Sequence, residues 1–278
     1  MPNYATLHTH TDAGIHTILL NRPEKRNALN HQLIADLTHA LESFAASQTC
    51  RVLIITGAGS AFCAGLDLEH LRAMIQHSGE ASATEDYLED AQRIATLLRT
   101  LYALPKPSIA AVNGPAIAGG MGIATLCDFT LAVPEAKFGY TEVRIGFIPA
   151  VVSAFLYTQI GQKASRDLLL TGRLLSATEA HNLGLVNRIV PEPELLSEAK
   201  LLAQRLLRNS PAAMESTKRL LGRFSDHHLP DDIEAAIRAS VDARSSADFQ
   251  EGVTAFLEKR DPLWPSAHNS ANPSTSTK

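Results

Sequence analysis

The chain has 278 residues, of which 45% are hydrophobic and 19% are charged, and its formal net charge at pH 7 is −4. This composition indicates a globular protein with a sizeable core and excludes a disordered or fibrous chain. The small negative charge gives no electrostatic reason to expect nucleic acid or a membrane surface as a partner. The three cysteines, Cys50, Cys63 and Cys127, are far apart, which argues against a disulfide framework and a zinc site.

The N-terminal segment, residues 1–14, lacks the basic and apolar pattern of a secretory signal. No apolar run approaches the ~20 residues that a membrane span needs. We therefore expect a cytoplasmic protein.

The first part of the chain alternates between strand and helix patterns. Residues 14–20 (GIHTILL) predict a strand, and residues 28–44 carry apolar side chains at helical spacing. Residues 51–56 (RVLIIT) are a short apolar run rich in β-branched side chains, which is typical of a buried strand. This order predicts a βαβ unit and a largely parallel sheet.

The remaining core elements follow the same logic. The pattern predicts a further helix over residues 80–99 and another over 148–160. Strands are predicted at residues 108–112, 129–133, 137–140 and 183–190.

The character of the sequence changes near residue 192. Residues 1–192 are predicted to form an α/β core, and residues 193–263 a helical C-terminal region, with helices over 192–207, 211–224 and 231–259. Residues 264–278 are polar and of low complexity, so we expect them to be disordered.

Two glycine-containing loops follow buried strands. The first loop, Gly57 to Leu68, reads GAGSAFCAGLDL, and the second loop, Asn113 to Gly122, reads NGPAIAGGMG. Ligands of open α/β sheets collect at such strand ends. Neither loop is a nucleotide-binding fingerprint, because the first lacks the third glycine of GxGxxG and the second lacks the Lys-Ser/Thr of a P-loop.

With three further motifs, these loops resemble the crotonase (enoyl-CoA hydratase/isomerase) superfamily. The further motifs are NRPEKRNAL at 21–29, AKFGYTEVRIGFIP at 136–149 and EGVTAFLEKR at 251–260. The resemblance implies an α/β fold, the crotonase (ClpP-like) spiral of ββα repeats with a helical C-terminal trimerisation region. It also implies a homotrimer or hexamer, an acyl-CoA substrate of fatty acid metabolism, and no cofactor beyond the coenzyme A of the substrate itself.

Chemistry beside a thioester builds negative charge on the carbonyl oxygen, and losing one of the backbone N–H groups that stabilise it costs about 10²–10³ in rate. By resemblance, the two donors are the N–H groups of Leu66 and Gly119. The residues alone leave two interpretations of Glu142 open: a surface glutamate paired with Arg144, or an acid/base whose pKa is raised by apolar neighbours. The resemblance implies the second, so Glu142 is the expected acid/base. Its apolar neighbours are Phe138, Val143, Ile145 and Phe147.

The resemblance also implies the coenzyme A contacts. These are Lys25, Arg26, Ala61, Phe62, Ala64, Phe256 and Lys259. We predict no metal site, because the close histidine pairs, at 8/10 and 227/228, have no nearby acidic or cysteine partner.

One position departs from the familiar hydratase pattern. Gly122 stands where those enzymes carry a second glutamate. Residues 141–153 are similar to hydratase members of the methylglutaconyl-CoA type, so hydration of a 2-enoyl-CoA by Glu142 alone is the leading hypothesis. The alternatives are 3-enoyl to 2-enoyl isomerisation, with Glu142 as the single proton shuttle, and a catalytically weak acyl-CoA-binding protein. A carboxylated acyl group would need a cation, for which Arg72, Arg93 and Arg144 are candidates.

Overall fold

The computed structural model describes residues 4–77, 79, 82–225 and 228–269. Its strands are β1 (Leu7–Asp12), β2 (Ile15–Leu20), β3 (Val52–Gly57), β4 (Ser108–Val112), β5 (Ala116–Ile117), β6 (Phe129–Ala132), β7 (Lys137–Gly139), β8 (Leu175–Ser176) and β9 (Arg188–Ile189). Its helices are α1 (His31–Ala46), α2 (Leu68–His77), α3 (Ala83–Tyr102), α4 (Gly119–Leu126), α5 (Ala150–Thr171), α6 (Ala177–Asn182), α7 (Leu195–Leu207), α8 (Pro211–Ser225), α9 (Leu229–Arg244), α10 (Ala247–Glu258) and α11 (Pro265–Asn269).

The main sheet has six strands in the order β1-β2-β3-β4-β6-β9. Strand β1 is antiparallel to β2, and every other pair in this sheet is parallel. Strands β3 and β4 are buried along their whole length, as the continuous apolar runs predict. Because these strands are parallel neighbours, the two glycine loops that follow them begin at the same edge of the sheet.

A small second sheet of three strands, in the order β5-β7-β8, positions the chain segment that carries Glu142 relative to the second loop. Strand β5 is parallel to β7 and places Ile117 opposite Gly139. Soon after β7 the chain forms a 3-10 turn over Glu142–Ile145, which we call the catalytic turn after the role predicted for Glu142. This pairing brings Glu142 close to the second loop, although the two are far apart in the sequence.

The C-terminal helices cover the edge of the sheet where the loops lie. Helix α9 packs against α3 and α5, and α10 packs against α2 and the catalytic turn. A second buried cluster around Phe147, Phe249 and Val253 joins α10 to that turn. None of the described helices combines the length and the apolar character that a membrane span requires.

Several predicted elements differ from the structure. The helix predicted over residues 231–259 is two helices, because the Ser246 side chain accepts a hydrogen bond from the Phe249 N–H and caps a new helix. The strand predicted over 183–190 is mostly a turn, since Gly184 has φ +80° and only β9 pairs with the sheet. Part of the segment predicted to be disordered forms α11, where the Ser266 N–H and hydroxyl bind Asp248.

Strand β1 was missed because it is an edge strand whose outward residues are polar. Helix α5 extends eleven residues beyond its predicted end and changes direction at Gly161, where φ is +74° and ψ is 171°. His227 and residues 270–278, for which histidine pairing and disorder were predicted, lie outside the described residues.

Candidate active site

A cavity of about 1010 Å³ lies where the two glycine loops meet the catalytic turn. Its walls come from both loops, from α2, α3 and α5, and from α9 and α10. Leu66, Gly119 and Glu142 all line it. The structure therefore brings together the three residues for which catalytic roles are predicted.

The backbone around Leu29 holds the first loop in place. The Leu29 N–H donates to Gly65 O at 2.7 Å, and the Asp67 N–H donates to Leu29 O at 3.0 Å. Leu66 lies between these two bonds, and successive N–H groups of an extended chain point to opposite sides, so its own N–H points away from Leu29. An ion pair of 2.7 Å between Arg22 and Asp67 holds the end of the loop.

The second loop reaches Gly119 through a strained residue. Ala118 has φ +51° and ψ −124°, a conformation that side-chain-bearing residues rarely adopt. Its N–H donates to Gly139 O at 2.7 Å, which fixes the direction of the chain as α4 begins. Gly119 is the first residue of α4, so its N–H has no acceptor within the helix and lies in the positive potential of the helix N-terminus.

The two loops touch each other through a glycine. A Cβ at Gly120 would lie 2.3 Å from the carbonyl oxygen of Cys63, which is closer than any real contact. The Ile117 N–H donates to the same oxygen at 2.9 Å. In the backbone hydrogen bonds of the described residues, neither Leu66 N–H nor Gly119 N–H has an acceptor. Both donors remain available for a ligand oxygen.

Glu142 begins the catalytic turn. Its Oε2 is buried and has no hydrogen-bond partner within the described part of the chain. Burial raises the pKa of this carboxyl from 4.5 to about 7. Helix α10 packs directly on the turn, since a Cβ at Gly252 would lie 2.3 Å from the carbonyl carbon of Ile145. A carboxyl in this state can accept and return a proton near neutral pH.

The surroundings of Gly122 are apolar. A Cβ there would meet Val152 Cγ1 at 2.9 Å and Leu98 Cδ2 at 3.6 Å. Val152 also lines the cavity. The place that a second glutamate occupies in the familiar hydratases is thus closed by aliphatic side chains.

The residues predicted to contact coenzyme A do not all face the cavity. The lining contains Lys25, Arg26, Ala61, Ala64 and Phe256. The side chain of Phe62 is completely buried in the core, so only its backbone could contact a ligand. Lys259 caps the end of α10 with φ +55° and does not line the cavity. Lys25 forms an exposed ion pair of 2.7 Å with Glu69.

Among the predicted cations, Arg144 lines the cavity, whereas Arg72 and Arg93 do not. Arg244 also lines the cavity, although only 1% of its side chain is exposed, and it was not among the cations predicted from the sequence. Its guanidinium lies 2.6 Å from Asp90 Oδ2 and 4.9 Å from the centroid of the Phe147 ring. The available signal was spacing, because Arg244 follows the apolar positions of α9 at helical intervals.

A second group was also missed. His31, His70 and Asp90 meet beside the cavity wall formed by α2 and α3. No sequence pattern predicts this meeting, since the three residues lie on three different helices.

Comparisons with known proteins identify the family of the chain. The sequence model of the enoyl-CoA hydratase/isomerase family matches residues 10–267. A Thermus thermophilus protein named for enoyl-CoA hydratase is 44% identical over 88% of this chain and 95% of its own length. The 1,2-epoxyphenylacetyl-CoA isomerase of Escherichia coli is 33% identical over 91% of this chain and 96% of its own length.

The fold agrees as well. A crystal structure of an enoyl-CoA hydratase from Mycobacterium avium subsp. paratuberculosis superposes with a TM-score of 0.83 at 28% identity. The match covers 94% of this chain and 99% of that one. The predicted crotonase fold is confirmed, and the chain is an enzyme of the enoyl-CoA hydratase/isomerase family, a member of the crotonase superfamily.

Proposed function

We propose that this enzyme adds water to a 2-enoyl-CoA, with Glu142 as its only acid/base. The observation that carries the proposal is the buried, unpartnered Glu142 Oε2, whose pKa is about 7, in the same cavity as two free backbone N–H groups. The name of the Thermus thermophilus relative supports hydration as the reaction.

The reaction needs one carboxylate and one oxyanion site. The thioester oxygen accepts hydrogen bonds from Leu66 N–H and Gly119 N–H, which stabilise the enolate. Ionised Glu142 takes a proton from a water molecule while the hydroxyl adds to Cβ of the enoyl group. Glu142 then returns that proton to Cα. The proton and the hydroxyl both come from one water, and the enzyme ends in its starting state.

A second reaction is favoured by the surroundings of Gly122. Val152 and Leu98 leave that side of the cavity without a group to orient water. Isomerisation of a 3-enoyl-CoA needs no water, because Glu142 takes a proton from C2 and returns it to C4. The same oxyanion site stabilises the dienolate between the two steps.

Coenzyme A itself is proposed to lie along the rim formed by Lys25, Arg26, Ala61, Ala64 and Phe256. Lys25 and Arg26 offer positive charge to the phosphates, and the exposed Phe256 ring offers a surface to the nucleotide.

We also propose a homotrimer or a hexamer. The side chains of Leu220 and Phe224 on α8 are apolar and exposed, so an interface between subunits could bury them. Sedimentation of the purified protein measures the number of subunits in the assembly.

A paired assay tests the reaction. The 2-enoyl thioester absorbance is followed as it falls on crotonyl-CoA and as it rises on a 3-enoyl-CoA. Each assay is repeated with Glu142→Gln and with Glu135→Gln, a matched change at an exposed glutamate. We expect the absorbance to fall on crotonyl-CoA. Glu142→Gln should slow the rate of this fall by about 10²–10⁴, and Glu135→Gln should leave the rate unchanged.

The other outcomes separate the alternatives. A rise on the 3-enoyl substrate without a fall on crotonyl-CoA would make the enzyme an isomerase. Turnover that Glu142→Gln leaves unchanged would remove Glu142 from the mechanism. No change of absorbance in either assay would favour the hypothesis of an acyl-CoA-binding protein.

A further inference from the structure

Three side chains with metal-ligating atoms meet away from Glu142, and we call them the His31–His70–Asp90 cluster. His31 is the first residue of α1, His70 lies in α2 and Asp90 in α3. Their ligating atoms all lie within 4.8 Å of one another. Asp90 Oδ1 is the common point, 2.9 Å from Nε2 of His70 and 3.2 Å from Nε2 of His31.

These distances fit a shared ion. Zinc binds imidazole nitrogen and carboxylate oxygen at about 2.0–2.2 Å, so two tetrahedral ligands lie roughly 3.3–3.5 Å apart. Both contacts of Asp90 are within a few tenths of an ångström of that separation. The rings of His31 and His70 stand edge to face with centroids 4.6 Å apart, so rotation about their side-chain bonds can bring their nitrogens closer.

The orientation of His70 points the same way. Its Nε2 is buried and 2.9 Å from Asp90 Oδ1, yet it makes no acceptable hydrogen bond with any described residue. A hydrogen bond would place the oxygen along the axis of the ring nitrogen. Two ligands of one ion instead have their lone pairs converging on a point between them. The His70–Asp90 contact of 2.9 Å lacks the first geometry, which is what a site for a shared ion requires.

The other oxygen of Asp90 is already fixed. Arg244 donates to Oδ2 at 2.6 Å, and 5% of the Asp90 side chain is exposed. Carboxylates that bind metals are usually held by such a second hydrogen bond, which directs the free oxygen at the ion. The positive charge of Arg244 partly offsets the negative charge of Asp90 and so lowers the affinity of the site for a cation. The main contribution of Asp90 is therefore an oxygen atom held in the right direction for the ion.

The cluster is open on one side. The side chain of His31 is 53% exposed, whereas that of His70 is 13% exposed. An ion therefore has a path from solvent, and water can complete its coordination. Two imidazoles and one carboxylate suit a divalent transition metal better than calcium or magnesium, which prefer oxygen ligands.

We propose that His31, His70 and Asp90 form a binding site for a divalent transition-metal ion such as zinc. The ion joins the first turn of α1 to α2 and α3. Leu68 and Leu71 of α2 line the active-site cavity, so the ion fixes that wall in place. No step of the proposed reaction passes through it.

The test is zinc binding to the purified protein after treatment with a chelator and dialysis. Calorimetric titration is compared for the unaltered protein, for His31→Ala and for His10→Ala. His10 is an exposed histidine of the pair on β1 and is the matched control. We expect saturable one-to-one binding, weakened more than tenfold by His31→Ala and unchanged by His10→Ala. At the same zinc concentration, Tm should rise in the unaltered protein and in His10→Ala, and should rise less in His31→Ala.

His31 is largely exposed, so its truncation is expected to leave the fold intact, which circular dichroism checks. Absence of saturable binding by the unaltered protein would overturn the proposal. Equal affinity in His31→Ala would also overturn it. Loss of zinc binding in His10→Ala would show that the zinc site lies on β1, which would also overturn the proposal.

Discussion

The raised pKa of Glu142 makes a prediction about stability as well as about rate. In the folded protein burial raises this pKa from 4.5 to about 7, and in the unfolded chain the carboxyl is hydrated. The stability that the neutral carboxyl contributes is fully present below about pH 4.5. It is lost as the pH rises through 7, because the folded state must then bury a charge.

The magnitude follows from the two pKa values. At about 1.4 kcal/mol for each pH unit between them, the whole effect is about 3 kcal/mol. About 2 kcal/mol of it is lost between pH 5.5 and pH 9. Glu142→Gln keeps the size of the side chain but cannot ionise. We compare the free energy of unfolding of the variant with that of the unaltered protein. This difference should shift in favour of the variant by about 2 kcal/mol when the pH rises from 5.5 to 9.

The measurement is urea unfolding of both proteins at pH 5.5 and pH 9. All other ionisable groups are shared, so their contributions cancel in the difference between the proteins. Glu135→Gln, at an exposed position, should give a difference that does not depend on pH. A pH-independent difference for Glu142→Gln would refute the reasoning, because it would show that the carboxylate is hydrated in the folded state.

Burial raises the pKa values of the Cys63 and Cys127 thiols to about 12, so iodoacetamide at pH 8 should label neither in the folded protein and both in urea, as read by mass spectrometry. Labelling of the folded protein would contradict their burial. Arg244→Met leaves Asp90 buried and less compensated and should cost about 3–5 kcal/mol in urea unfolding. Adding Asp90→Asn should recover most of that loss, and equal instability of the single and double variants would argue against the ion pair. Gly120→Ala must push the two loops apart and should lower both kcat/KM and Tm, whereas unchanged kinetics would show that the loops adapt freely.

Much of the site could be predicted because its parts are local in sequence. The loops of Leu66 and Gly119 begin at the ends of buried strands, and an apolar run followed by glycine identifies both. The turn that carries Glu142 also follows a short strand, and the role expected of Glu142 comes from the family resemblance. Parallel pairing of β3 with β4 then brings the loops together without any further information.

The rest depends on contacts between distant segments. Arg244 and Asp90 are separated by most of the chain, and a charged residue at the end of a helix ordinarily faces solvent. The His31–His70–Asp90 cluster exists only once α1, α2 and α3 have packed. The break between α9 and α10 was different, because Ser246 followed by Asp248 is a helix-start signal that the long helical pattern concealed.

The packing of α10 on the catalytic turn has a consequence for how the protein is made. Leu66, Gly119 and Glu142 leave the ribosome long before Gly252, whose backbone contact completes the turn. At about 5–20 residues per second, the interval between Glu142 and Gly252 is roughly 5–20 seconds during synthesis. A nascent chain that already contains every group proposed to act on the thioester therefore has no finished site. Premature termination between Glu142 and α10 would yield a polypeptide that contains all three of these residues but lacks the helix that packs on the Glu142 turn.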